Sequence, residues 1–244
     1  MNFKEFEELI ESGIEEITLS ENIILEKGEE DKFIEGIEIN RDNLIIDGKN
    51  HTIDGNSEVS ILSIKGSNIT LKNIIFKNGY SEDFCGAINN HSNDLRINHC
   101  QFIDNESEDF GNAHGGAIYN APDSRLIIEK SVFKDNGSDY GGAIYIDSNS
   151  SLEINNSVFE SNTVEFEGAA IYNKGELIID NSLFTRNAAF KGGAIYNEKD
   201  LIIKDCKFIN NTAGEGNDIF TENMDKLNIS NSVCQFINND NILR

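Results

Sequence analysis

The chain has no tryptophan, a single proline and two methionines among 244 residues. That proline, Pro122, reads as a turn residue. Positive charge is scarce: 20 Lys and Arg stand against 43 Asp and Glu, a net charge of −23. Such a balance repels phosphate backbones and anionic membrane surfaces, so nucleic acid is excluded as a partner class. No long apolar run is present, and the opening MNFKEFEELI is acidic and amphipathic, without a basic leader. The sequence as given therefore reads as having neither a secretory signal nor a membrane span, with no direct membrane insertion. Either the protein is intracellular or its export information lies elsewhere. No Asp-x-Asp loop of the EF-hand kind, no CxxC pair and no Cys/His cluster occurs, so no metal and no cofactor is expected. Only 38% of residues are apolar while glycine numbers 20, which suits a narrow core with many turns better than a broad interior.

What is present is a repeat. GGAIYN at 192 to 197 returns as GGAIYN at 115 to 120, GGAIYI at 141 to 146 and GAAIYN at 168 to 173. Each copy leads to a second phrase, spelled by Leu177, Ile179, Ser182, Phe184 and Asn187, and again by Leu201, Ile203, Cys206, Phe208 and Asn211. Earlier copies run Ile69, Leu71, Ile74, Phe76; Leu95, Ile97, Cys100, Phe102; Leu126, Ile128, Ser131, Phe133; and Leu152, Ile154, Ser157, Phe159. Paired β-type phrases recurring about every 24 to 31 residues, with turn residues between them, define a solenoid in which no coil buries its apolar face alone. In the last copy, Leu227, Ile229 and Ser232, Cys234 stands where Phe is expected and Phe236 follows. A two-residue insertion or bulge there would account for it.

Alternation fixes the facing of side chains. Leu, Ile, the small slot and Phe point inward, while Arg96, Ile127, Glu153 and Ile178 between them vary as outward positions do. In the glycine phrase Ile88, Ile118, Ile144, Ile171, Ile195 and Ile219 are invariant, whereas Asn89 replaces Tyr and Asp218 replaces Ala. Ile is thus expected inside, and Ala and Tyr outside. The asparagines at 105, 136, 162, 187, 211 and 239 each follow the Phe strand. They read as a ladder of stacked amides at tight turns that suit left-handed Asn. The paired glycines turn a corner.

Phe3, Phe6, Leu9 and Ile10 recur at helical spacing with Gly13 after them, predicting a helix over 2 to 12 that caps the first coil. The domain organisation is then a capping helix at 1 to 13 and one β-solenoid domain over 14 to 244, of eight or nine coils. Residues 14 to 65 hold less regular strands with DG turns,. Of the four cysteines, Cys100 and Cys206 lie four coils apart at ~4.8 Å per coil, too far for a disulfide. Cys206 and Cys234 occupy adjacent coils and stay open to pairing; otherwise Cys85 and the rest are buried thiols.

GGAI paired with FxxN at this spacing resembles the repeats of chlamydial polymorphic outer membrane proteins and of the adhesin-like proteins of methanogenic archaea. GIEINRDNLIIDGKNHTIDG and ITLKNIIFKNG are similar to the opening coils of the archaeal kind. The resemblance covers roughly residues 33 to 239. It implies an all-β, single-stranded right-handed parallel β-helix of the pectin-lyase-like type, an extracellular or cell-surface location and a role in attachment. The chain departs from those families in lacking an export signal and the C-terminal membrane barrel of the chlamydial members.

Enzymes of this fold use clustered acids beside a basic residue on an outer face. The nearest pair is Asp104 and Asp135, two places after the core Phe in consecutive coils and so ~5 Å apart. The same slot carries Ser161, Arg186, Asn210 and Asn238, as a solvated turn position does. His51, His91, His99 and His114 share no spacing and read as turn or surface residues. Asn-x-Ser/Thr sequons are numerous, as chance supplies in a chain this rich in Asn. The candidate ligand-binding residues are Tyr119, Tyr145, Tyr172 and Tyr196, one slot in four successive coils, with Phe220 next. Beside a shelf of Ala and Gly they would form a platform ~15 Å long able to stack on sugars or seat a protein partner. Alternatively the rings only stabilise the sheet.

The sequence thus supports a non-enzymatic adhesin-like binding or structural module, monomeric or part of a longer surface protein, with a glycan or a host or cell-surface protein as partner. The alternative is a polysaccharide lyase or glycoside hydrolase of the same fold.

Overall fold

In the computed structural model, which describes residues 1–82, 85–109, 111–234 and 242–243, the chain winds into a parallel β-helix. Three sheets of nine strands and one of six run its length, and every pairing within them is parallel. One central coil shows the order. Ser151–Asn155 belongs to a Leu/Ile sheet, Val158–Glu160 to a Phe sheet, Thr163–Glu167 to a six-stranded flanking sheet, and Ile171–Asn173 to a Tyr sheet. Successive coils pair in the register the repeat predicts, Phe133 with Phe159 and Phe159 with Phe184.

The inward residues form continuous stacks. Rings of Phe102, Phe133, Phe159 and Phe184 lie 4.6 to 4.8 Å apart and nearly coplanar in orientation, with Phe76 and Phe208 continuing the column. All six are fully buried. The small slot is a polar ladder as well as a space-filler. Ser131 and Ser157 backbone N–H groups donate to the hydroxyls of Ser157 and Ser182 in the next coil, at 3.1 Å each. Each hydroxyl in turn donates to a carbonyl two residues back, as Ser131 does to Glu129 at 2.8 Å. Cys100 and Cys206 occupy this slot, buried, and burial pushes the Cys100 thiol up to about 12.

The asparagine ladder is present, but its members are not the left-handed residues. Positive φ falls one place earlier, at Asp104, Asp135, Ser161, Arg186 and Asn210. The turn is made by that exposed residue, leaving Asn105, Asn136, Asn162, Asn187 and Asn211 to point inward, where each side-chain amide bonds the next at about 2.9 to 3.0 Å. Asp218 accepts the last of these, from Asn211, at 2.9 Å. Asn239 lies outside the described residues.

The glycine corner has two distinct demands. Gly141 sits at φ +63°, and a Cβ on Gly116 would meet the carbonyl oxygens of Gly137 and Gly142 at 2.2 and 2.4 Å. The first glycine therefore supplies a left-handed turn and the second a close approach of backbone.

At the N-terminus the helix spans Phe3–Glu11, opened by a capping box between Asn2 and Glu5,. Phe3, Phe6 and Ile10 are buried on the first coils. Arg41 closes its other end by donating to the carbonyls of Ile10, Gly13 and Ile14. A short helix at Glu30–Phe33, which no periodicity announces, adds Phe33 edge-on to Phe3 at 5.7 Å. At the other end Cys234 pairs directly with Phe208 in register. The backbone therefore holds no two-residue insertion up to that point; Phe236 lies outside the described residues.

Candidate functional site

The tyrosine row is built by parity within a three-residue strand. In Ile171–Asn173 the isoleucine and the asparagine face inward, and the tyrosine between them faces out. Parity does not run back through the corner, which is why Ala117, Ala143, Ala170 and Ala194 are fully buried in the main core instead of forming an outward shelf. Two further inward ladders follow from the same strand. Asn90 donates to Asn120, and Asn173 to Asn197, at 2.7 Å each.

The rings stack as the register requires. Tyr145, Tyr172 and Tyr196 have centroids 4.9 Å apart, with Tyr119 at 5.7 Å and Phe220 at 5.2 Å closing the two ends. They are not an open platform, however: exposure runs from 3% at Tyr145 to 9% at Tyr119 and Phe220. The cover comes from the variable segments between the repeated phrases. Residues 106–107 and 163–167 are strands of the flanking sheet, whereas 147–150 is a turn. From that sheet Tyr140 meets Tyr172 edge-on at 5.5 Å and stacks on Phe166 at 5.3 Å. His114, paired with Tyr140 as a β-bridge, puts its ring edge-on to Tyr145 at 4.3 Å. Its half-burial, then Lys174, holds it below the usual histidine range against the opposing pull of Asp147, Asp139 and Asp109. No sequence spacing marks His114 or Tyr140, since both come from the variable part of the repeat.

Polar groups along the row are matched coil to coil. The Tyr119 hydroxyl donates to Asp147 at 2.5 Å, that of Tyr172 to Glu198, and that of Tyr196 to Glu222 at 2.7 Å. Lys174 lies 5.6 Å over the Tyr145 ring. Burial first, then the carboxylate each one bonds, keeps Tyr119, Tyr172 and Tyr196 protonated well above the usual phenol range. Lys174 lies 5.4 Å over Tyr172 and 3.9 Å from Glu198, and Lys191 lies 5.1 Å over Phe220 and 3.9 Å from Glu167. Burial raises the Glu167 carboxyl, and Glu198 and Glu222 add to the effect while Lys191 and Lys174 oppose it. On the same rim, Phe190, next to Lys191 on the flanking sheet, is 58% exposed.

The other candidates stay apart. Asp104 and Asp135 are exposed turn residues, 4.0 Å from Lys77 and 3.7 Å from Lys134 respectively. Cys85 is buried beneath the row, its thiol pushed up to about 12 by burial. Cys234 reaches the register of the Phe column through its backbone, and its side chain lies outside what is described. No helix among the described residues is long and apolar enough to cross a membrane.

Stacked parallel coils with side-chain ladders define a β-solenoid. Residues 12–165, more than half of the chain, match the family described as the right-handed β-helix region, and the chain belongs to that family. No curated protein and no solved structure matches it significantly.

Proposed function

We propose that the chain is a non-enzymatic binding and structural module, displayed outside the cell in the manner of adhesins. It meets a glycan or a surface protein along the face where the tyrosine ladder adjoins the flanking sheet. The observation that supports this reading is the onward bonding of the ladder: the hydroxyls of Tyr119, Tyr172 and Tyr196 are each engaged by a carboxylate of the following coil. Phenols so held keep their protons and serve the scaffold. What they leave to a partner is the rim, with Lys174, Lys191 and the exposed Phe190. A ring and two cations over aromatic faces suit stacking and charge-assisted contacts in combination. The test is a glycan array and a cell-surface binding assay on the wild type and on Lys174→Ala/Lys191→Ala/Phe190→Ser. These residues are outside the main core, so the fold should persist by circular dichroism. A loss of at least about fivefold is expected from removing several modest contacts; undiminished binding would remove this face from the reading.

One observation favours the alternative, a polysaccharide lyase or glycoside hydrolase. Glu167 is a carboxyl raised by burial beside Glu198 and Glu222, with Lys174 and Lys191 at hand. Such a group can act as a general acid. Incubation with uronate-rich and neutral polysaccharides, read as new reducing or unsaturated ends, separates the two. Turnover that falls at least about 100-fold in Glu167→Gln would establish the enzyme and displace the binding module.

A further inference from the structure

The outward position of the Leu/Ile sheet runs Arg96, Ile127, Glu153, Ile178, Ile202 and Asn228 along consecutive coils. Only at Ile178 and Ile202 do two adjacent coils both present an exposed aliphatic side chain, 45% and 43% accessible. They floor a depression of about 350 Å³ on the outside of the solenoid. Its polar walls are Glu176, Asp200, Asp225 and Lys226. Lys226 is committed to Asp200, reaching both its oxygens at 2.8 and 3.1 Å. Glu176 and Asp225 have no cationic partner among the described residues.

An aliphatic floor under surplus carboxylates is complementary to a side chain with an apolar stem and a cationic head. The charge also decides among occupants. A second copy of this chain brings another −23 and the same acidic walls, and nucleic acid or an anionic lipid surface is repelled in the same way. We propose that this depression is a docking site for a basic, aliphatic-rich segment of a partner polypeptide, whose Lys or Arg stems lie on Ile178 and Ile202 and whose heads face Glu176 and Asp225. The site lies on a different sheet from the tyrosine ladder and stands whether or not the ladder face binds anything.

The probe is a fluorescein-labelled peptide of alternating Lys and Leu, titrated by fluorescence anisotropy at low and at raised ionic strength. Because both isoleucines are exposed, Ile178→Ser/Ile202→Ser leaves the core intact, as unchanged circular dichroism would verify. It should weaken binding at least about tenfold. Glu176→Gln/Asp225→Asn should weaken it several-fold and flatten its salt dependence. Asp104→Asn/Asp135→Asn, which removes the same charge from exposed turns elsewhere, should change it less than about twofold. The proposal is overturned if the wild type does not bind the peptide, or if the double isoleucine variant binds as the wild type does. It is equally overturned if the two charge-neutralised variants lose affinity alike, because the peptide would then be reading only the overall acidity.

Discussion

Replacing Asn162 by Ala tests the polar core where it is most exposed to failure. Asn162 is fully buried, and its side chain accepts from the backbone N–H of Asn136 at 3.1 Å and from the Asn136 amide at 2.9 Å. It donates to the Phe133 carbonyl at 3.1 Å and to the Asn187 amide oxygen at 2.9 Å. Truncation orphans two donors outright, the Asn136 N–H and one hydrogen of its amide. The Asn187 oxygen keeps one partner, the Asn162 backbone N–H at 3.0 Å. At about 1 to 3 kcal/mol for each buried group left unsatisfied, the expected loss is about 2 to 6 kcal/mol. Asn155→Ala is the internal control. It removes only a half-exposed contact to Glu153 at 3.1 Å and should cost less than about 0.5 kcal/mol,. Urea unfolding followed by far-ultraviolet circular dichroism gives both numbers, with amide exchange in the neighbouring coils to detect local opening, since solenoids can unfold in parts. A loss below about 1 kcal/mol for Asn162→Ala, or one equal to that of Asn155→Ala, would mean that the ladder contributes nothing beyond its geometry.

Phe159→Ala should cost about 3 to 5 kcal/mol in the same assay, because Phe133 and Phe184, each 4.8 Å away, are held by their own strands and cannot close the gap,. Deleting residues 1 to 12 uncovers the first coils from Phe3, Phe6 and Ile10 and should produce self-association in sedimentation velocity while the circular dichroism stays β-rich,. Asp218→Asn should raise the melting temperature at neutral pH. Burial raises the Asp218 carboxyl despite its bond from Asn211, so the folded state holds the proton more tightly, and stability falls as pH rises from the ordinary carboxylate value of about 3.9 through the folded one,. The advantage of the variant should accordingly shrink as pH is lowered through that window. A gain independent of pH would refute the charge as its cause.

The fold was legible because the residues that build it recur. Phe, the small slot and the inward Asn repeat together through the coils of Phe102, Phe133, Phe159, Phe184 and Phe208, and each faces the core as its phase implies. Two expectations fail for separate reasons. Strand parity carried through the glycine corner puts Ala143 outside, but the backbone changes direction there and parity no longer applies. Spacing alone cannot tell Asn162 from Ser161 as the left-handed turn residue, and it is Ser161 that takes the turn. The flanking sheet was illegible for a different reason. Its strands, such as Gly137–Tyr140 and Thr163–Glu167, share no side-chain pattern and are held in a shifted register by backbone pairing. That sheet is what covers the tyrosines, so the accessibility of the row was invisible even though the row itself was plain.

Stacking also limits where function can reside. A position that must stack on its copy in the next coil is fixed by its neighbours above and below, and its hydrogen-bonding capacity is spent along the axis, as in Asn136 to Asn162 to Asn187. A partner approaching from the side meets the residues that are free to differ between coils: Lys174 where the next coil has Glu198, or Ile178 where the previous coil has Glu153. Change at such a position costs the scaffold little, since an exposed substitution away from packed features usually moves stability by less than about 0.5 kcal/mol. In this chain the most repetitive residues therefore specify the rod, and the proposed recognition is to be sought in the departures from the repeat, where an acidic surface is interrupted by paired isoleucines on one sheet and, beside another, by Lys174 over Tyr172 and Lys191 over Phe220.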